Sequence, residues 1–173
     1  MRKNESMPEV LINALNREPP EAFMQALLAS GWQPDDVDCD GFPLLFRAVD
    51  KGRLDIAELL VRAGAQVDRR LPNGWTTLFW AVLNGQEVAV AFLLRFGADP
   101  NFESRDGERV LMVAAWKGFP TIVVLLLAHG AQHDAANADG LNALAAAAAR
   151  RHASIAETLA EAAEQAENTR PIH

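Results

Sequence analysis

Cysteine occurs once in these 173 residues, at Cys39, and tyrosine not at all. A single cysteine excludes an internal disulfide and suits a reducing compartment, so the chain is expected in the cytoplasm. No apolar run approaches the ~20 residues that a membrane helix needs. The opening residues, Met1 to Ser6, lack the basic start, apolar stretch and small-residue cleavage site of a secretory signal. Basic residues are outnumbered, 16 Lys and Arg against 23 Asp and Glu, and the net charge of −7 argues against a broad phosphate-binding surface. Clustered glycines of the kind that cradle a phosphate are also missing. What remains is 50% hydrophobic, too apolar for disorder and long enough to bury a continuous core.

The glycines are spread out instead, and evenly. Gly41, Gly74, Gly107 and Gly140 stand 33 residues apart. Leu45, Leu78, Leu111 and Leu144 keep the same interval, as do Ala48, Ala81, Ala114 and Ala147. So do Gly52, Gly85 and Gly118, and Gly31, Gly64, Gly97 and Gly130. Many positions recurring together at one period describe a stack of copies of one supersecondary unit.

The stretch Asn73 to Asn101 shows what the unit is. Asn73-Gly74 is a turn signal. Leu78, Ala81 and Val82 then recur at helical spacing, with Thr76 placed to cap a short helix that ends at Asn84-Gly85. A second helix is predicted over Glu87 to Phe96, with Val88, Ala89, Phe92 and Leu93 on its buried side. Gly97 closes it and residues 98–101 lead to the next turn. A unit of turn, short helix, turn and longer helix cannot cover its own apolar face; stacked on its neighbours it can.

These residues resemble the ankyrin repeat. The pattern Gly-x-Thr-x-Leu-x-x-Ala, a glycine, and then Leu93-Leu94-Arg95-Phe96-Gly97-Ala98-Asp99-Pro100-Asn101 carry the likeness, with Leu59–Ala65 and Leu125–Ala131 ending the neighbouring units in the same way. The family's Thr-Pro-Leu-His tetrapeptide is never complete: Pro43–Phe46, Thr76–Phe79, Arg109–Met112 and Asn142–Ala145 stand in its place. Its histidine, which in the family hydrogen-bonds adjacent loops, is replaced by Phe46, Phe79, Met112 and Ala145, and apolar packing is expected to compensate. The resemblance implies an all-α ankyrin-repeat solenoid of about five units forming a single domain over 1–173. A degenerate cap repeat spans 5–37, with helices over Pro8–Asn16 and Glu21–Ala29 and Pro19-Pro20 opening the second. Full repeats follow at 38–70, 71–103 and 104–136. A C-terminal cap repeat occupies 137–167, its Glu157, Glu161, Glu164 and Glu167 outward and its Ile155 and Leu159 inward, and 168–173 form a frayed tail.

The family binds proteins through turn tips and the exposed, concave side of the first helices. Carried over by position, that surface includes Phe42, Arg47 and Lys51 in one unit and Trp75 and Trp80 in the next. Arg105, Val113, Trp116 and Lys117 follow in the third, and Leu141, Ala146 and Arg150 in the last. Large aromatics anchor interfaces with rigid area, so Phe42, Trp75, Trp80 and Trp116 are the expected anchors, with Arg47, Lys51, Arg70, Arg105 and Lys117 orienting the partner. For Trp80 and Trp116, packing between helices is the competing role. Trp32, in the cap, is expected to cover the core. Positive and negative residues on this surface balance, which fits a protein better than a nucleic acid.

Catalysis would have to be built from His129, His133, His152 and nearby acids. His129 sits at a helix end, where it suits the helix dipole. His133 and Asp134 lie beyond that helix, outside the spacing of a helical metal pair. Cys39 on its turn has no assigned base. The sequence therefore points to a non-catalytic, cytoplasmic protein-binding module without metal, cofactor, nucleic acid or membrane as ligand, working as a monomer or within a hetero-complex. A dedicated neutraliser of one protein, such as an immunity protein blocking a toxin, is the first alternative. A structural spacer is the second.

Overall fold

The computed structural model describes residues 7–168. Ten helices in five consecutive pairs occupy them: α1 Glu9–Arg17, α2 Pro20–Ser30, α3 Leu44–Asp50, α4 Leu54–Arg62, α5 Thr77–Leu83, α6 Glu87–Arg95, α7 Val110–Lys117, α8 Pro120–Ala128, α9 Ala143–Ala149 and α10 Ala153–Asn168. The expected all-α class and paired helices are present. Two isolated antiparallel bridges, Val37 with Pro43 and Glu103 with Arg109, mark the bases of hairpin turns. Two compact units divide the chain, residues 1–77 and 78–173.

In the first unit α1 packs on α2, α3 on α4, and α2 on α4. Phe23, Leu27, Trp32, Leu44, Ile56 and Leu60 are buried together with the period positions Leu45 and Ala48; each large side chain removed from water contributes about 1.5–3 kcal/mol. Trp32 is core, as expected. Pro20 opens α2 at its first position, where its missing N–H costs nothing. Polar bonds join the loops. The Asp35 carboxylate accepts from the backbone N–H of Gln66 at 3.0 Å and pairs with Arg69. Arg53 donates to the carbonyls of Leu15 and Glu18 at 2.9 and 2.8 Å and pairs with Asp55. That hydrogen bond from Arg53 holds the Asp55 carboxyl below its usual range.

In the second unit α7 packs on α8 and α9, α6 on α8, and α10 on α8 and α9. Leu78, Phe79, Val90, Leu93, Leu111 and Ile122 are buried, and Phe79 meets Phe102 edge-on at 5.6 Å. The missing family histidine is thus replaced here by an apolar ring. Loop-to-loop hydrogen bonding persists as well. Asn101 accepts from the Gln132 N–H at 2.8 Å and donates to the Gly130 carbonyl at 3.1 Å, repeating the Asp35–Gln66 bond two periods later. Ile155 and Leu159 face inward on α10 while Glu157, Glu161 and Glu164 are exposed, as a cap requires.

Some expectations need correcting. Val88 is 73% exposed, not buried; it lies one period from Asp55 and Thr121, both exposed, so its place in the unit outweighs its hydrophobicity. Val113 and Ala146, expected on the surface, are buried, because side chains this short do not reach out of the first-helix packing. Asn168 ends α10 and does not begin a tail; residues 169–173, like Met1 to Ser6, lie outside the described residues.

Two backbone positions generate predictions. Gly52, Gly85 and Gly118 take positive φ after the first helices, and the residue one period beyond Gly118 is Arg151, the only described non-glycine with positive φ, at 61°. An L-residue is strained there by roughly 1–2 kcal/mol. Arg151→Gly should therefore stabilise the chain by about 0.5–1 kcal/mol in urea denaturation; a destabilised variant would contradict the strain. At Gly118 a Cβ would stand 2.6 Å from the His152 ring, whereas at Gly52 it would meet nothing. Gly52→Ala should cost about 1 kcal/mol and Gly118→Ala at least about twice that. The excess should vanish in a His152→Ala background.

Candidate functional site

The four hairpins that precede α3, α5, α7 and α9 are built alike. The N–H groups of Gly41, Gly74, Gly107 and Gly140 donate to the carbonyls three residues earlier, at 2.8–3.1 Å. The backbone N–H of each turn's first residue, Asp38, Leu71, Ser104 and Asn137, donates to the carbonyl four residues later. Side chains complete the cage. Asp38 accepts from the N–H groups of Asp40 and Phe42, Asn137 from those of Asp139 and Leu141, and the Ser104 hydroxyl from that of Glu108. Leu71 cannot accept, and there Asn73 takes the Trp75 N–H instead. The hairpins are thus rigid platforms for the side chains that follow them.

In the first unit the expected site residues are largely engaged within the chain. Phe42 stacks on Phe46 at 4.9 Å, with the Arg47 guanidinium 4.6 Å above its ring. Arg47 pairs with buried Asp38 at 2.6 Å and with Asp40 at 2.9 Å. Burial alone would lower the Arg47 pKa; hydrogen bonds and charge from these carboxylates outweigh it and leave the pKa raised. Arg70 is exposed but donates to the Gly74 carbonyl at 3.0 Å. Trp75 is half-buried. Lys51 is exposed and makes no ion pair among the described residues.

The second unit is more open. Trp80 is half-buried, and its backbone carbonyl accepts from the Asn84 side chain at 2.8 Å. Trp116 is 46% exposed, and the Arg150 guanidinium lies 4.9 Å from its ring centre. Lys117 and Arg105 are exposed, with no ion-pair partner among the described residues.

A groove of about 550 Å³ runs beside Trp116 between α7 and α9. It has a plain cause in the sequence. Met112, Val113 and Trp116 are followed one period later by Ala145, Ala146 and Ala149, so α9 is thin where α7 is bulky. Alanine holds the helix well but leaves the space beside it unfilled. Leu83, Val113 and Leu141 line its apolar part, and Asp106, Glu108 and Asp139 stand at its hairpin end. None of these carboxylates has an ion-pair partner among the described residues. Sequence reasoning named most of these residues as surface candidates but missed the groove, whose signal is the alanine run of α9.

His129 and His152 are engaged elsewhere. His129 Nδ1 lies 2.9 Å from the Leu125 carbonyl at the end of α8. His152 packs against Gly118, its Nε2 3.3 Å from the Trp116 carbonyl. His133 and Asp134 border a separate cleft with Leu144 and Leu159. Among the described residues no three His, Cys, Asp or Glu groups are placed to hold a metal ion.

Comparison with known families gives one result. The family model described as ankyrin repeats matches in three copies, at residues 11–104, 45–137 and 78–172. The matches overlap, and their starts step by 34 and 33 residues, the period read from the glycines. No curated protein matches the chain.

The geometry separates bracing charges from available ones. Removing Asp38 leaves Arg47 with only the exposed Asp40 and strands two hairpin N–H groups. Asp38→Ala should cost about 2–3 kcal/mol in urea denaturation, while Lys117→Ala should stay within about 0.5 kcal/mol of wild type. Equal losses would erase the distinction.

Proposed function

Because the chain belongs to the ankyrin repeat family, whose repeats generally mediate protein–protein interaction, we propose that it is a non-catalytic module that binds a protein partner through its hairpin tips and first helices. The observation that carries this reading is Trp116: a large aromatic left 46% exposed beside an apolar groove whose carboxylates have no ion-pair partner among the described residues. Exposed rigid aromatics beside an apolar pocket are what hot spots are made of. Phe42, Trp75 and Trp80 contribute as further anchors, and Lys51, Arg70, Arg105 and Lys117 orient the partner. Arg47 acts through the shape it gives Phe42, since its charge is already matched by Asp38 and Asp40. The exposed free thiol of Cys39 favours work in the reducing cytoplasm.

Affinity capture from native lysate tests the reading. The wild-type chain should retain a protein that Trp116→Ala loses, with a fall in affinity of about 2 kcal/mol, or roughly 30-fold, and little change in stability. A partner bound equally by both would move the binding surface elsewhere. Trp75→Ala is the companion variant: lost affinity with retained stability makes it an anchor, and unfolding makes it core. The partner's own activity, measured free and bound, separates a neutraliser, which abolishes it, from an adaptor, which leaves it.

A further inference from the structure

We propose that the groove between α7 and α9 takes an extended segment of the partner in which a large apolar side chain is flanked by a basic residue on one side and an acidic residue on the other. This rests on the protein-binding reading and gives the partner a chemistry.

Charge along the groove is ordered. Asp106 and Glu108 come from the hairpin before α7 and Asp139 from the hairpin before α9; all three are exposed and line the groove. Arg105, although adjacent to Asp106, is not among the lining residues. At the opposite end Lys117, the last residue of α7, lines the groove, and Arg150, just after α9, is not a lining residue but lies against the Trp116 ring that is. Apart from Asn137 the rest of the lining is apolar and includes Val113, Trp116, Leu141 and Ala146. Acids before helices and bases after them also suit the helix dipole. That effect fades within one turn, however, and Asp106 stands four residues upstream of α7.

The dimensions set the spacing of the ligand. The eight residues of α7 span about 10–12 Å at 1.5 Å per residue. An extended peptide advances about 3.3 Å per residue, so three or four residues separate its basic and acidic groups, with the apolar one between them. A wholly basic segment would meet Lys117 and Arg150, and a wholly acidic one the three carboxylates.

The test uses the full chain and dye-labelled peptides containing Arg-Ala-Leu-Ala-Glu, or the same order reversed, between Ser-Gly ends, read by fluorescence anisotropy. One of the two orders should bind saturably. Replacing the central Leu by Ala should weaken it ~10-fold, as loss of an anchor does, and reversing either charge should weaken it by a factor of about five. An Asp106→Lys/Asp139→Lys chain, altered only at exposed hairpin positions, should instead prefer the peptide with Glu at both ends. No binding of either order at millimolar peptide, binding indifferent to both charges, or equal binding by Trp116→Ala would each overturn the proposal. If the peptides fail while a lysate partner is still lost by Trp116→Ala, the partner chemistry falls and the protein-binding reading stands. If that lysate partner binds Trp116→Ala unchanged, the groove proposal falls and the binding surface lies elsewhere on the chain.

Discussion

A first helix of seven or eight residues is only two turns long, and two turns are not stable in water. That constraint governs this chain. α3, α5 and α9 have seven residues each and α7 eight, so each depends on lateral burial for its existence. The period positions supply it. Leu45, Leu78 and Leu111 are buried, and Ala48, Ala81, Ala114 and Ala147 are fully so; a methyl group at the buried position lets neighbouring backbones approach closely. Leu144, the last leucine of the series, is 39% exposed on α9.

The hairpins solve a second problem, the backbone N–H groups left unpaired where one helix pair gives way to the next. A carboxylate, hydroxyl or amide at the first turn position satisfies backbone N–H groups that the turn would otherwise strand. Where Leu71 occupies that position, Asn73 supplies the acceptor two residues later. The Asp35–Gln66 and Asn101–Gln132 bonds then tie successive loops. The incomplete family tetrapeptide is therefore offset twice, by Phe79 in the core and by these amide and carboxylate links.

The fold was legible because the period is a property of the whole chain and needs no single residue to be interpreted. The errors arose where residues were read one at a time. Val88 looked buried by its chemistry, yet its place in the unit is that of Asp55 and Thr121. Val113 and Ala146 looked exposed by position, since Arg47 and Trp80 hold the same place; depth is shared, and only a long side chain reaches solvent from it. Arg151 could have been assigned left-handed backbone simply by adding the period to Gly118. The pairing of Arg47 with Asp38 and Asp40 was beyond sequence reasoning, because it depends on how a hairpin folds back over the helix that follows it.

Where the chain keeps its period it specifies the fold, and where it breaks the period it creates either strain or surface. Arg151 for glycine is strain. The change from Met112, Val113 and Trp116 to Ala145, Ala146 and Ala149 is surface, because two helices that pack on each other, with Ala114 and Ala147 both fully buried, cannot both fill the space beside them when one carries only methyl groups. A concavity with one exposed indole at its wall follows from backbone regularity combined with side-chain irregularity. The same logic explains why Arg47 and Lys117, both basic and both on first helices, differ in role. Arg47 follows a hairpin that places Asp38 and Asp40 within reach of its guanidinium, whereas Lys117 lies at the far end of α7, a full helix away from the carboxylates of its own hairpin. Charge that the hairpin can reach braces the fold, and Lys117 lies beyond that reach, with no ion pair among the described residues.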